Sequence, residues 1–283
     1  MNRPPLPKEH GAWAMLGYPL LATLILRSRD RWLNPGGSTL DILLLVLAAT
    51  FAYSSFHALR AAMRQARAGS PAPGLAPRTW LPRKFFQHGN LPWGLLFGLL
   101  SLILAWPLML RPELRPLCWL ASAGAAAVLL NLVFVRARSE KGVFSELFAT
   151  LTLSLSFPAF LVLAFGGWRS GFRELWLLSW LFNSSSVFYV KMCREAILPN
   201  ASAENLIRSR KQLALFMMAS IALLGSLWFR GQISGPPLLS LLPLWLMLRS
   251  GMKRPSLHPS VRHLGFSLLA QSILFGLILG AGF

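Results

Sequence analysis

Basic, acidic and imidazole side chains stand directly before an apolar run in the stretch PKEHGAWAM at residues 7–15. His57 and Arg60 end a second apolar run with a three-residue spacing. Lys191 and Arg194 end a third run with the same spacing. Residues three apart share one face of a helix, so each pair can point at the same bound group. Cations arranged in this way suit the oxygens of a phosphate, diphosphate or carboxylate.

The candidate ligand-binding residues are cationic, acidic or amide side chains, most of them at the ends of apolar runs. They are Lys8, Glu9, His10, His57, Arg60, Asn131, Arg136, Glu146, Asn183, Lys191, Arg194 and His263. The chain shows no recognisable nucleophile, acid–base pair or cofactor fingerprint, so it assigns no catalytic residue and leaves open whether the protein is an enzyme. The two cysteines lack metal-ligand spacing, and we expect neither a metal site nor a cofactor.

Transmembrane helices are the elements that would position these residues. With 54% hydrophobic and 13% charged residues, the composition lies far outside that of soluble proteins. Apolar runs near the roughly 20 residues that cross a bilayer recur along the chain without two-residue alternation, which predicts an all-α polytopic bundle. We predict about nine spans, at 11–27, 41–59, 91–110, 117–135, 146–165, 175–192, 212–229, 237–250 and 264–283. The run 237–250 is short and contains Pro243, so eight spans are the alternative.

Lys and Arg are distributed unevenly between alternate loops. The N-terminal tail and the loops after the second, fourth, sixth and eighth spans hold 20 of the 28 Lys and Arg residues, when Lys191 and Arg249 at the ends of the sixth and eighth spans are counted with them. The positive-inside rule therefore places the N-terminus in the cytoplasm and the C-terminus outside, in what we expect to be a cytoplasmic (inner) membrane. All five histidines then lie at or near the cytoplasmic face. The predicted site is a basic cavity that opens to the cytoplasm.

The formal net charge of +19 is explained by a membrane. Juxtamembrane cations attract anionic headgroups by about 1 kcal/mol each, so we expect membrane lipids as partners and no nucleic acid. We predict one transmembrane domain over 1–283, with a flexible basic cytoplasmic loop at 60–90 that carries AGSPAPGLAPR. The sequence assigns no oligomeric state.

Each candidate residue also has a purely structural interpretation. The cations can serve only to orient the helices, and His10 can cap one. Glu146 in a first helical turn is favourable by about 0.3 to 1 kcal/mol. Asn183 and the three serines after it suit hydrogen bonding between helices as well as they suit a ligand. The sequence leaves these alternatives open.

The stretch PKEHGAWAM resembles the opening of the YwiC-like family of bacterial integral membrane proteins. Residues 133–154, VFVRARSEKGVFSELFATLTLS, and 185–196, SSVFYVKMCREA, are also similar to that family, with weaker support from VRHLGFS at 261–267. The resemblance implies an integral membrane protein and no particular reaction.

The span layout is more distantly similar to that of UbiA-type intramembrane prenyltransferases, which carry aspartate-rich motifs after the second and sixth spans. Those carboxylates clamp Mg²⁺ against a diphosphate. The corresponding stretches here, SSFHALRAAMRQAR and SSVFYVKMCREAILPN, contain no aspartate. The resemblance therefore implies a layout in which cations stand where the metal ligands would be.

Three functions fit these observations. The first is a protein of prenyltransferase-like layout, enzyme or former enzyme, that binds an anionic or isoprenoid lipid. The second is a transporter or flippase for an anionic solute, and the third is a membrane binding protein without turnover. A transporter should carry polar groups at the bilayer midplane, whereas the charges here lie near one face. This one-sided polarity favours the first and third functions.

Overall fold

The computed structural model describes residues 10–29, 38–68, 90–137, 143–197, 202–233, 235–253 and 261–282. All regular structure in these ranges is helical. The helices are α1 (His10–Arg29), α2 (Thr39–Ala68), α3 (Asn90–Met109), α4 (Arg115–Arg136), α5 (Val143–Ser154), α6 (Ser156–Phe165), α7 (Phe172–Ile197), α8 (Ala203–Phe229), α9 (Gly235–Leu238), α10 (Leu242–Lys253) and α11 (Val261–Gly282). Short 3₁₀ turns at Pro112–Leu114 and Leu239–Leu241 precede α4 and α10.

Six stretches of the described chain are long and apolar enough to cross a membrane. They are Thr39–Gln65, Asn90–Met109, Pro112–Arg136, Val143–Phe165, Ala203–Phe229 and His263–Gly282. Large apolar side chains on them, such as Leu102, Trp119 and Phe229, are exposed, as expected for surfaces that face lipid. The all-α prediction is confirmed for the described residues. The count of nine spans stays a prediction.

The other three predicted spans also fall on helical chain. The span 11–27 lies in α1, and 175–192 lies in α7, where Asn183 and the serines after it lower the mean hydropathy. The span 237–250 is divided among α9, a 3₁₀ turn and α10. Its two prolines, Pro237 and Pro243, lack the N–H donor that a continuous helix requires, which explains the division.

The predicted span 146–165 is broken at Leu155, between α5 and α6. Pro158 has no N–H to donate to the carbonyl of Ser154, four residues earlier, so the α-helical ladder cannot continue unbroken. The Ser156 Oγ donates instead to the Leu153 carbonyl oxygen, at 2.8 Å. A side-chain hydroxyl thus satisfies one backbone group at the break.

Helix α2 continues past the predicted end of its span at residue 59 and reaches Ala68. The added residues read RAAMRQARA and are almost all strong helix formers. Residues 60–68 of the predicted loop are therefore helical, and 69–89 lie outside the described residues.

The described residues divide into two compact units. Unit 1 consists of α2, α3, α4 and α5 as far as Thr152, and unit 2 consists of α1, the end of α5 and α6 to α11. The prediction of a single domain over 1–283 stays a prediction.

In unit 1, α2 packs along α3, and α4 packs on both. The Ser55 Oγ donates to the Gly94 carbonyl oxygen at 2.7 Å, and the Ser101 Oγ donates to the Ala48 carbonyl oxygen at 2.8 Å. Such bonds need backbones that approach closely, which small residues such as Gly94 permit. The α2–α3 pair is thus fixed by both hydrogen bonds and close contact.

An ion pair ties the start of α2 to the turn between α3 and α4. Asp41 accepts from Arg111 Nη2 at 2.7 Å and from Arg111 Nη1 at 2.9 Å, as a bidentate pair. The Ser38 N–H also donates to Asp41 Oδ2 at 2.7 Å, and the Asp41 N–H donates to Ser38 Oγ at 3.1 Å. This reciprocal arrangement is a capping box, so one carboxylate both caps α2 and holds Arg111.

In unit 2, α1 packs along α11. Gly276 and Gly280 on α11 face the backbone of α1, where a Cβ on Gly276 would lie 3.2 Å from the Tyr18 carbonyl oxygen. Glycines spaced four residues apart allow two membrane helices to approach closely.

We expect Gly280→Ala to destabilise this helix pair. The added Cβ would lie 3.0 Å from the Ile25 Cβ and 3.2 Å from the Ala22 carbonyl oxygen, and overpacking of this kind costs about 1 to 3 kcal/mol. Gly265→Ala is the control, because no heavy atom lies within 4 Å of its added Cβ and alanine is the better helix former. The thermal unfolding midpoint in one detergent measures both variants. Equal midpoints would contradict the packing account.

Candidate functional site

Five of the predicted site residues lie in unit 1. His57 and Arg60 are on α2, Asn131 and Arg136 are on α4, and Glu146 is in the first turn of α5. We name His57, Arg60, Arg136 and Glu146 the basic end of unit 1.

A small apolar cluster brings the relevant parts of α2 and α4 to the same level. Ala62 and Met63 of α2 are buried together with Leu91 of α3 and Val135 of α4, and Leu59 packs against them. Arg60 follows Leu59 in the sequence, and Arg136 follows Val135. The two arginines therefore lie at the level of this cluster on neighbouring helices.

An aromatic contact links α5 to the end of α4. The rings of Phe134 and Phe148 lie 6.0 Å apart between centroids. Glu146 precedes Phe148 by two residues, so the carboxylate belongs to the same end of the unit as Arg136. One acidic and three basic or titratable side chains thus lie toward the same end of unit 1.

Arg136 stands out at the basic end of unit 1. It is the last residue of α4, where the helix dipole favours a positive charge. The residue is half-buried, and its Nη1 atom is buried without a hydrogen-bond partner among the described residues. His57, Arg60 and Glu146 are also half-buried. A guanidinium N–H withdrawn from water without an acceptor is costly, and an anion would satisfy it.

Asn131 lies deeper in α4 and is buried. Its Nδ2 donates to the Ala127 carbonyl oxygen at 2.9 Å. This bond within the helix occupies the amide, as in the structural interpretation of polar residues inside spans.

The remaining candidates in the described chain lie in unit 2. Lys191 is half-buried near the end of α7, Arg194 is exposed one turn further on, and His263 is exposed on α11. Asn183 is fully buried in the middle of α7. The grouping of the unit 2 residues with those of unit 1 in one cavity stays a prediction.

The opening motif lies mostly outside the described residues. His10 is the first residue of α1, and its side chain is not among the described groups. Lys8 and Glu9 precede the described chain. Their place in the site stays a prediction.

The sequence analysis missed Tyr18 and Ser179. The Tyr18 hydroxyl on α1 and the Ser179 Oγ on α7 share a hydrogen bond of 2.5 Å, although 161 residues separate them. Both residues are buried. Each is a hydroxyl inside an apolar run, which is a signal in the sequence, but the predicted site was built from charged and amide side chains.

The described residues contain no group of three or more His, Cys, Asp or Glu side chains that could hold a metal ion. Cys118 and Cys193 are free thiols, half-buried and buried respectively.

The helices and the basic end of unit 1 define a multi-pass helical membrane protein. A family model described as YwiC-like protein matches residues 6–161, which is more than half of the 283 residues. The chain belongs to the YwiC-like family. Neither the curated proteins nor the solved structures contain a match. The family resemblance is thus confirmed, and the more distant likeness to UbiA-type enzymes is not borne out.

Proposed function

We propose that the basic end of unit 1 binds a phosphate-type anion, presented as the headgroup of an anionic membrane lipid. The observation that carries this proposal is the Nη1 atom of Arg136, which is buried without a partner among the described residues. A guanidinium binds phosphate oxygens through two parallel N–H donors, and such charge-assisted bonds are stronger than neutral ones.

Charge balance at the basic end favours an anion. Two permanently charged guanidinium groups, on Arg60 and Arg136, stand against one carboxylate, on Glu146, and the imidazole of His57 belongs to the same end. All four side chains are half-buried, so they interact more strongly than charges in bulk water. A phosphate would complete the balance and satisfy the free donor of Arg136.

A lipid is the natural source of such a phosphate. The spans around the basic end expose apolar side chains to the bilayer, so a headgroup at the helix ends can remain attached to acyl chains that lie along them. The positive-inside rule predicts that these helix ends face the cytoplasm, with the N-terminus inside, and we propose a bacterial inner membrane as the location. Anionic lipids give that leaflet its negative surface potential.

This proposal describes a binding protein and assigns no reaction. Asn131 is not part of the proposed site, because its amide is already bonded within α4. Lys191, Arg194 and His263, with the opening motif, remain predicted contributors on the cytoplasmic side. Transport of an anionic solute stays the alternative function.

Binding should be selective for a phosphate monoester headgroup and independent of metal. Full-length protein in nanodiscs should retain dioleoylphosphatidic acid over dioleoylphosphatidylcholine, and retention should survive EDTA because arginines supply the neutralising charge. Native mass spectrometry of the released complexes measures both properties. Equal retention of the two lipids, or strict dependence on Mg²⁺, would refute the proposed function.

A further inference from the structure

A second polar site lies in unit 2, where α1, α7 and α11 meet around three aromatic rings. The ring centroid of Tyr18 lies 5.4 Å from that of Phe182 and 5.2 Å from that of Phe275. Phe182 and Phe275 stack on each other at 4.2 Å. The Tyr18 hydroxyl points to Ser179, with which it shares its hydrogen bond. Hydroxyl groups are thus held inside an otherwise apolar part of the unit.

Two amide side chains near these rings carry buried atoms without hydrogen-bond partners in the described chain. Asn183 follows Phe182 and is fully buried, and neither its Nδ2 nor its Oδ1 has a partner among the described residues. The Tyr18 hydroxyl lies near this amide, but the contact does not have the geometry of a hydrogen bond. Gln271 lies one turn from Phe275 on the same face of α11, and its buried Oε1 also lacks a partner in the described chain. Buried amide groups normally have partners, because losing water without replacement costs free energy.

We propose that these amides form a binding site for an uncharged lipid with a free hydroxyl group, such as a diacylglycerol or a long-chain alcohol. The unmet atoms are two acceptors, Asn183 Oδ1 and Gln271 Oε1, and one donor, Asn183 Nδ2. A hydroxyl donates one bond and accepts others, so it serves both kinds of atom. A lipid headgroup with only carbonyl oxygens, or a phosphate dianion, accepts hydrogen bonds without donating any. It would leave both amide oxygens without a donor.

The site differs in chemistry and in helices from the basic end of unit 1. Arginine, histidine and glutamate lie there, whereas amide, hydroxyl and aromatic groups lie here. The aromatic rings of Phe182 and Phe275 supply an apolar wall for the part of the ligand next to its hydroxyl. Each of the two proposals can therefore be tested independently of the other.

The first test uses the wild-type full chain in detergent and two probes that differ in one group. 1,2-Dioleoylglycerol has a free hydroxyl, and 1,2-dioleoyl-3-acetylglycerol has the same chains with that hydroxyl capped. A ligand that binds only the folded protein raises its thermal midpoint, so we expect the first probe to raise it and the second to bind at least about tenfold more weakly. Oleyl alcohol should also raise the thermal midpoint. Because it has a free hydroxyl but no glycerol, this result would show that the hydroxyl is the group recognised. Equal binding of the free and capped lipids would overturn the proposal.

The second test uses variants and the same probes. Asn183→Leu and Gln271→Leu should each weaken the binding of 1,2-dioleoylglycerol by about tenfold or more. The second variant keeps the test valid if the first does not fold. Ser272→Ala is the matched control on α11, because the Ser272 Oγ already donates to the Leu268 carbonyl oxygen at 2.8 Å. It should bind the probe like the wild type. Wild-type affinity in both leucine variants would overturn the proposal and leave only water as the occupant of the site.

Discussion

Arg111→Ala is expected to lower the free energy of unfolding by about 2 to 3 kcal/mol, because it leaves the Asp41 carboxylate buried without its charged partner. The Asp41 side chain is only 3% exposed, whereas that of Arg111 is 40% exposed. Water therefore screens part of the attraction, and the expected loss lies below that of a fully buried pair. The bond from the Ser38 N–H remains in the variant, but it carries no full charge.

Arg115→Ala is the matched control for this prediction. Arg115 is exposed and lies four residues further along the same turn, so its removal takes away the same charge without touching Asp41. We expect its unfolding free energy to change by no more than about 0.5 kcal/mol. Adding Asp41→Asn to Arg111→Ala should cost less than the sum of the single losses, since the two residues share one interaction. Titration with a denaturing detergent measures the wild type and four variants, which are Arg111→Ala, Arg115→Ala, Asp41→Asn and the double variant. Similar losses for Arg111→Ala and Arg115→Ala would contradict the ion-pair account.

Arg136→Ala is expected to weaken dioleoylphosphatidic acid binding by about ten- to a hundredfold, the effect of losing a charge-assisted hydrogen bond. The reason is geometric as well as electrostatic, because alanine removes both the charge and the planar fork of donors. Arg136→Lys keeps the charge and loses the fork, so its affinity should fall between those of the wild type and the alanine variant. Arg60→Ala should weaken binding in the same direction, since Arg60 lies at the level of the same apolar cluster.

Arg64→Ala separates a binding site from a set of cations that only orient helices. Arg64 lies on α2 one turn beyond Arg60 and is exposed. It counts equally in the positive-inside rule, yet it should change lipid affinity by less than about twofold, as surface substitutions usually do. Native mass spectrometry measures the affinity, and the amount of protein in the membrane is measured in parallel. Equal effects of Arg64→Ala and Arg136→Ala would favour the orienting role.

Much of the helical layout could be predicted from the sequence, because the bilayer sets the length of an apolar run. The predicted spans 41–59, 91–110 and 117–135 fall within or almost within α2, α3 and α4. The continuation of α2 to Ala68 could also have been predicted, since residues 60–68 are almost all strong helix formers. The break at Leu155 could not be predicted, because a proline inside a span, such as Pro158, is compatible with either a kink or a new helix.

Which residues contact one another was much harder to predict than which residues belong to the candidate site. Composition and spacing pointed to Arg60 and Arg136, but only packing of Val135 against α2 shows that they share a level. Asp41 and Arg111 are 70 residues apart, and Tyr18 and Ser179 are 161 apart. Periodicity predicts which face of a helix is buried, and it does not predict which other helix that face meets.

Photo-crosslinking tests most directly whether an anionic lipid headgroup binds at the basic end of unit 1. A dioleoylphosphatidic acid with a photoreactive group beside its phosphate is irradiated with the full-length protein in nanodiscs, and the modified peptides are mapped by mass spectrometry. We predict adducts within 57–64 and 131–137 that fall strongly in Arg136→Ala and that unlabelled phosphatidic acid displaces while phosphatidylcholine does not. Adducts spread over exposed α8 residues such as Leu215 and Trp228, unchanged by Arg136→Ala, would contradict the account.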